Sequence, residues 1–217
     1  VDDLVKYGIT QTVFSEKYAR ALSKNLKGKL NVHIKIDTGM NRLGFSSDEE
    51  GIDAAARCAR LPGLHADGIF THFADADEAD EEPTRRQFER FMHAIKTLEE
   101  SGISFRMRPC CNSAATVRFP DMYLNAVRCG IILYGLNPSD CSSLSGLTPV
   151  MSLHSRIVHI HEVHPGERIS YGGTFSPCKP VKVATVPIGY DDGLLRSYAS
   201  EGFYINGKYA KILGRIC

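Results

Sequence analysis

The sequence predicts an α/β fold of parallel βα units followed by a small all-β region. Over the first two-thirds, β-rich segments, one with a clear period-two alternation, are followed by segments with apolar residues at helical spacing. From about Val150 the helical spacing stops, and short strand-like runs broken by Gly and Pro remain. Between the two lies Asn137–Pro149, rich in Ser, Gly and Pro, so the expected division is 1–137 and 138–217.

The elements follow in order. Ile9–Phe14 is β-branched-rich and reads as a strand. Ser15–Lys27 carries Tyr18, Ala21, Leu22 and Leu26 at helical spacing, with Gly28 as its stop. Val32, Ile34 and Ile36 alternate with His33, Lys35 and Asp37, which predicts a strand with one apolar and one polar face. Ser46 and Glu49 have capping-box spacing for a helix through Ala59. Gly68–Phe73 reads as a strand, and Thr84–Glu100 as an amphipathic helix with Phe88, Phe91, Met92, Ile95 and Leu98 on one stripe. Met107–Ser113 and Ala126–Leu133 bring the strand count to five. Beyond the boundary the expected strands are Ser152–Val163, Ile169–Tyr171, Val181–Ile188, Phe203–Ile205 and Ala210–Ile216.

Composition narrows the function classes. The 217 residues hold 26 basic and 25 acidic side chains, a net charge of +1, with no basic block to suit nucleic acid or an anionic membrane surface. The apolar run at Cys129–Leu133 is too short to span a bilayer. No charged segment followed by an apolar run opens the chain, so a signal peptide is not expected and a cytoplasmic location is. Seven cysteines without a CxxC pair read as thiols in a reducing compartment, the adjacent Cys110 and Cys111 included. His159 and His161 share a strand face, but no ligand set is completed around them, and no metal is expected. The chain starts at Val1 and stops within the apolar run Ala210–Cys217, so an internal piece of a longer protein is expected.

In parallel α/β folds, ligands gather at the carboxyl ends of the strands. Those ends supply Asp37–Arg42, Thr71–Asp75, Asn112–Ala115 and Arg128–Ile131. Hydroxyls and backbone N–H groups there suit a phosphate, and the arginines suit a carboxylate. Each segment alone is also ordinary turn chemistry. Lys35 lies on the polar face of its strand, where burial requires that it be paired, with Asp37 as one candidate, or modified.

Six segments in this order resemble the alanine racemase family: His33–Phe45 (HIKIDTGMNRLGF), Gly68–Asp75 (GIFTHFAD), Cys111–Thr116 (CNSAAT), Ala126–Gly135 (AVRCGIILYG), Ile169–Phe175 (ISYGGTF) and Pro187–Gly193 (PIGYDDG). The resemblance implies a partial TIM-like (βα) barrel followed by part of an all-β C-terminal domain. It implies interconversion of L- and D-alanine with pyridoxal 5′-phosphate, supplying D-alanine for bacterial peptidoglycan. It also implies a homodimer in which each β domain completes the partner's site.

By the same resemblance, Arg42 would bind the substrate carboxylate and the cofactor's phenolic oxygen, held by a Lys35 that is often carbamylated in relatives. His72 would pack on the pyridine ring and connect to Arg128, with Asn112 in support. Ser113, Gly130 and Ile131 would bind the phosphate. Tyr171 would be one of two catalytic bases, and Tyr190 would line the substrate entrance. Racemisation needs a base on each face of Cα. An arginine opposite the pyridine nitrogen cannot hand over a full proton, which disfavours transamination. Tyr171 would need nearby positive charge to act as phenolate, since its ordinary pKa is about 10.

The family's cofactor-anchoring lysine, on the first barrel strand, has no counterpart in the 217 residues, so they are expected to be inactive by themselves. The other readings are a serine or broad-specificity racemase, a related decarboxylase of basic amino acids, and a non-catalytic pyridoxal-phosphate-binding remnant. The segment Ile169–Phe175 argues against the decarboxylase.

Overall fold

In the computed structural model, which describes residues 1–141 and 146–217, helix α1 (Asp2–Lys6) and strand β1 (Gln11–Val13) open the first of two units, 1–151 and 152–217. Residues 142–145 of the expected linker lie outside the described residues. Helix α2 (Glu16–Lys24) begins where the Ser15 hydroxyl accepts the Tyr18 N–H, and it buries Ala19 and Leu22.

Strand β2 (Leu30–Asp37) pairs in parallel with β1 on one side and β4 (Leu64–Phe70) on the other. Leu30, Val32, Ile34 and Ile36 enter the core as the alternation predicts. The two-residue strand β3 (Phe45–Ser46) pairs with the end of β2, and α3 (Glu49–Ala59) follows. Its cap is not the expected Ser46–Glu49 box. Asp48 lies next to the helix, so its carboxylate accepts the Gly51 N–H at 2.8 Å, and the Ser46 hydroxyl donates to that carboxylate at 2.6 Å. A carboxylate there also meets the positive end of the helix. Helix α4 (Glu82–Glu100) buries Phe91, Ala94, Ile95 and Leu98 in the same core, and Thr84 and Gln87 are buried as well.

Gly68 is where the polar face of the sheet closes. A Cβ there would stand 2.7 Å from the His33 ring and 3.0 Å from the Met107 carbonyl oxygen. The chain at Met107 takes the next place in the sheet through one parallel bridge to Gly68. The expected strand Met107–Ser113 goes no further. Pro109 has no N–H to give a ladder, and Asn112 turns the chain into helix α5 (Ser113–Arg118) by accepting the Ala115 N–H. The expected strand Ala126–Leu133 is likewise irregular. The Arg128 N–H donates to the Cys111 carbonyl at 2.9 Å, and Ile131–Tyr134 then winds into a 3₁₀ turn.

The second unit is made of short antiparallel pairs. Strand β5 (His159–Val163) pairs with β6 (Val181–Thr185), and β7 (Gly202–Ile205) forms a hairpin with β8 (Lys208–Lys211). The expected strand at Ile169–Tyr171 is reduced to one bridge, Ile169 to Phe175. Residues 152–158 and 212–216 of the expected strands carry no ladder. Among the described residues, no helix is long and apolar enough to cross a membrane.

Candidate active site

Strands β2 and β4 run side by side in a register that opposes Lys35 to Phe70. Lys35 is 3% exposed. Its Nζ donates to the Ile36 carbonyl at 2.7 Å and lies 5.7 Å from the centre of the Phe70 ring. Burial pulls its pKa down to about 8; Asp37 opposes that fall, and the Arg128 and Arg42 charges add to it. The Asp37 carboxylate is occupied by the loop beyond β2, accepting the N–H groups of Gly39 and Asn41 at 3.0 Å and of Arg42 at 3.2 Å. Burial would raise its pKa, but these N–H groups and Lys35 hold it below the usual carboxylate range. The acid therefore organises the turn that delivers Arg42, whose own side chain is exposed.

His72 follows β4 by two residues. Arg128 Nη2 lies 2.9 Å from His72 Nδ1. A guanidinium can only donate, so Nδ1 accepts and the ring proton stands on Nε2. Burial first, then Arg128, Arg42 and Lys35, push the imidazole pKa down to about 4. The ring is therefore neutral at physiological pH. The Arg128 guanidinium packs 5.1 Å from the Phe70 ring centre, so Phe70 meets both cations. Arg128 Nη1 is buried and has no hydrogen-bond partner among the described residues. Burial lowers the Arg128 pKa, although an arginine stays charged.

Ser113 is placed by the Asn112 cap, and its Oγ accepts the Gly130 N–H at 2.8 Å. The Asn112 amide also donates to the Phe73 carbonyl at 3.4 Å, tying α5 to the His72 loop. The Ser113 hydroxyl proton remains available. The N–H groups of Ile131 and Ile132 open a 3₁₀ turn, where N–H groups have no carbonyl within the turn. His72, Asn112, Ser113, Arg128, Gly130 and Ile131 all line one cleft of about 280 Å³.

Six of the expected site residues thus converge, and Lys35 and Arg42 reach them through their charges. Tyr171 and Tyr190 belong to the second unit. Tyr171 is 71% exposed at the start of a 3₁₀ turn. Tyr190 is 49% exposed, its ring 4.9 Å from the Arg196 guanidinium. Phe70 was missed from the sequence because an aromatic residue on a strand ordinarily reads as core. Its signal was the register with Lys35. Among the described residues, no three His, Cys, Asp or Glu side chains converge to hold a metal.

The cleft fits an anionic aromatic group. Ser113 supplies a hydroxyl donor to its lining, and a buried nitrogen of Arg128, which also lines it, has no acceptor among the described residues. The family model "Alanine racemase, N-terminal domain" matches residues 1–138, and "Alanine racemase, C-terminal domain" matches 150–217. An alanine racemase of Desulforamulus reducens is 44% identical over 100% of this chain and 60% of its own length. One of Desulfovibrio desulfuricans is 44% identical over 99% of this chain and 59% of its own. Among solved structures, alanine racemase of Clostridium difficile in complex with cycloserine matches with a TM-score of 0.89 at 38% identity, covering 99% of this chain and 57% of that one. That of E. faecalis matches at 0.91 and 35%, covering 99% and 58%. The chain thus spans a little under two-thirds of the length of these relatives.

Proposed function

The chain belongs to the alanine racemase family, and on that footing we propose that the protein interconverts L- and D-alanine with pyridoxal 5′-phosphate, in the cytoplasm, supplying D-alanine for bacterial peptidoglycan. The observation that supports the cofactor most is the Arg128–His72 pair. Arg128 Nη1 is buried and has no partner among the described residues, and the pyridine nitrogen is an acceptor that would satisfy it. His72, neutral and flat, would stack on the ring. Ser113, Gly130 and Ile131 would hold the phosphate, with Asn112 fixing Ser113.

When bound, pyridoxal phosphate delocalises the electron pair left on Cα after proton removal. The protein's own residues do the rest. Arg42 would orient the substrate carboxylate and the cofactor's phenolic oxygen. Lys35 would support it after carbamylation: the neutral amine adds to carbon dioxide, loses a proton and becomes an anion beside the arginines. With its pKa near 8, roughly a tenth of Lys35 is neutral at pH 7 and open to that step. Tyr171 Oη would take or return the Cα proton on one face, and Tyr190 would line the entrance. Both would come from the partner subunit of a homodimer.

Circular dichroism on the full-length protein with cofactor and either alanine enantiomer tests the reading, with decay to a racemic end point from both sides expected. Absence of interconversion overturns it. The variant Arg128→Glu tests the role of the pair. A carboxylate beside the pyridine nitrogen would stabilise its protonated form, so racemisation is expected to fall and pyruvate, the transamination by-product of alanine, to accumulate. Unchanged racemisation without pyruvate would remove Arg128 from the ring nitrogen.

A further inference from the structure

Gln87 lies on α4 at a position whose neighbours on the same face, Thr84, Phe91 and Ala94, are buried, and it is itself 4% exposed. Its carboxamide is used at both ends. Oε1 accepts the Ala74 N–H at 2.9 Å, and Nε2 donates to Thr38 Oγ1 at 3.4 Å. The Ala74 N–H can only donate, so the amide orientation is fixed, with its NH₂ toward Thr38. Thr38 accepts that proton and has its own left to give to Thr71, whose Oγ1 is 2.7 Å away. Thr38 and Thr71 are both buried.

This chain of bonds joins the two loops that carry the site. Thr71 and Ala74 flank His72 on the loop after β4. Thr38 starts the loop after β2 that wraps Asp37 and ends at Arg42. One turn further along α4, Arg90 donates to the Thr38 carbonyl at 3.1 Å. Gly39 lets the loop lie this close, since a Cβ there would meet Gln87 Nε2 at 3.0 Å and its φ is +150°.

We infer that Gln87 is a positioning residue that sets the spacing between His72 and Arg42, bridging their loops through Thr38 and Thr71 while touching neither side chain. The inference rests on the racemase reading for the roles of those two residues. The bridge itself rests on geometry alone. Small displacements of binding groups cost rate steeply.

The test uses full-length protein carrying Gln87→Met, which keeps the volume and removes both bonds. Its KM for alanine is expected to rise about tenfold and its kcat to fall, with the absorbance of bound cofactor altered as the His72–Arg128 pair shifts. Thr38→Val breaks the same chain and should give the same signature, Thr38→Ser should restore wild-type constants, and the double variant should be no worse than either single one. Should Gln87→Met fail to fold, the two Thr38 variants decide the matter. Without cofactor, NMR titration of His72 gives an independent readout. The midpoint is expected near 4 in the wild type, and about one pH unit higher in Gln87→Met as the loop loosens and hydrates. If KM, kcat and that midpoint all hold while only Tm falls, Gln87 is a packing residue and the inference is overturned. A wild type that does not racemise alanine while the midpoint still moves overturns the racemase reading and supports the bridge.

Discussion

A half-buried histidine that accepts a guanidinium hydrogen bond at 2.9 Å resists a second proton, and that resistance is a stability statement. The folded His72 has a pKa near 4, whereas an unfolded histidine titrates near 6.5. Between those values the unfolded chain binds a proton that the folded chain refuses. The His72 contribution is therefore fully present above about pH 6.5 and is lost as the pH falls toward 4. Urea unfolding across this window should show the decline, and His72→Phe should flatten it. An unchanged slope in that variant would mean that another group titrates there. At this level the sequence was readable where alternation decides placement: His33, Lys35 and Asp37 leave the apolar face of β2 as expected. It was unreadable for Phe70, whose importance comes from the residue opposite it on another strand.

Among the elements, β4 (Leu64–Phe70) is displaced from the expected Gly68–Phe73 because His65 and Asp67 interrupt its apolar residues, whereas β2, α2 and α4 were legible from their spacing and their stops. The segments 107–113 and 126–133 were not, because apolar runs of that length do not reveal whether a partner strand has N–H groups to spare. Pro109, the Asn112 cap and the turn at Ile131 spend those groups elsewhere. Gln87 was hidden for a related reason: one polar residue on an apolar stripe reads as noise until the loops it serves are in view. The sheet itself makes a sharp claim at Gly68. An added methyl would drive into the His33 ring and the Met107 carbonyl, so Gly68→Ala should cost about 1–3 kcal/mol. His33→Ala in the same chain should recover part of that loss. Denaturant midpoints measure both, and a neutral Gly68→Ala would show that His33 and Met107 yield without cost.

For the whole molecule, the proposed site takes Arg42 from one subunit and Tyr171 from the other, and this division can be tested by mixing. Arg42→Ala and Tyr171→Phe should each abolish racemisation in a pure homodimer. Random co-assembly makes half the dimers mixed, and each mixed dimer holds one site free of both substitutions, so about a quarter of the wild-type activity should return. Recovery indistinguishable from zero would place both residues in one subunit's site. The strongly exposed Tyr171 is what such sharing requires of a single chain, since a side chain that serves a partner has little to pack against at home.

The cations around the cleft act before any contact is made. Beyond burial, which is the larger cause, Arg42 and Arg128 both weaken the hold of Lys35 and His72 on protons, and Arg42 does the same to Arg128. Mutual suppression of this kind means that the space between them sits at positive potential, while the nearby Asp37 faces its own ring of N–H groups. Anions are concentrated there at a distance of several ångströms, within the reach that salt leaves unscreened. The entry rate of anions is therefore expected to slow as ionic strength rises, while that of neutral molecules is not.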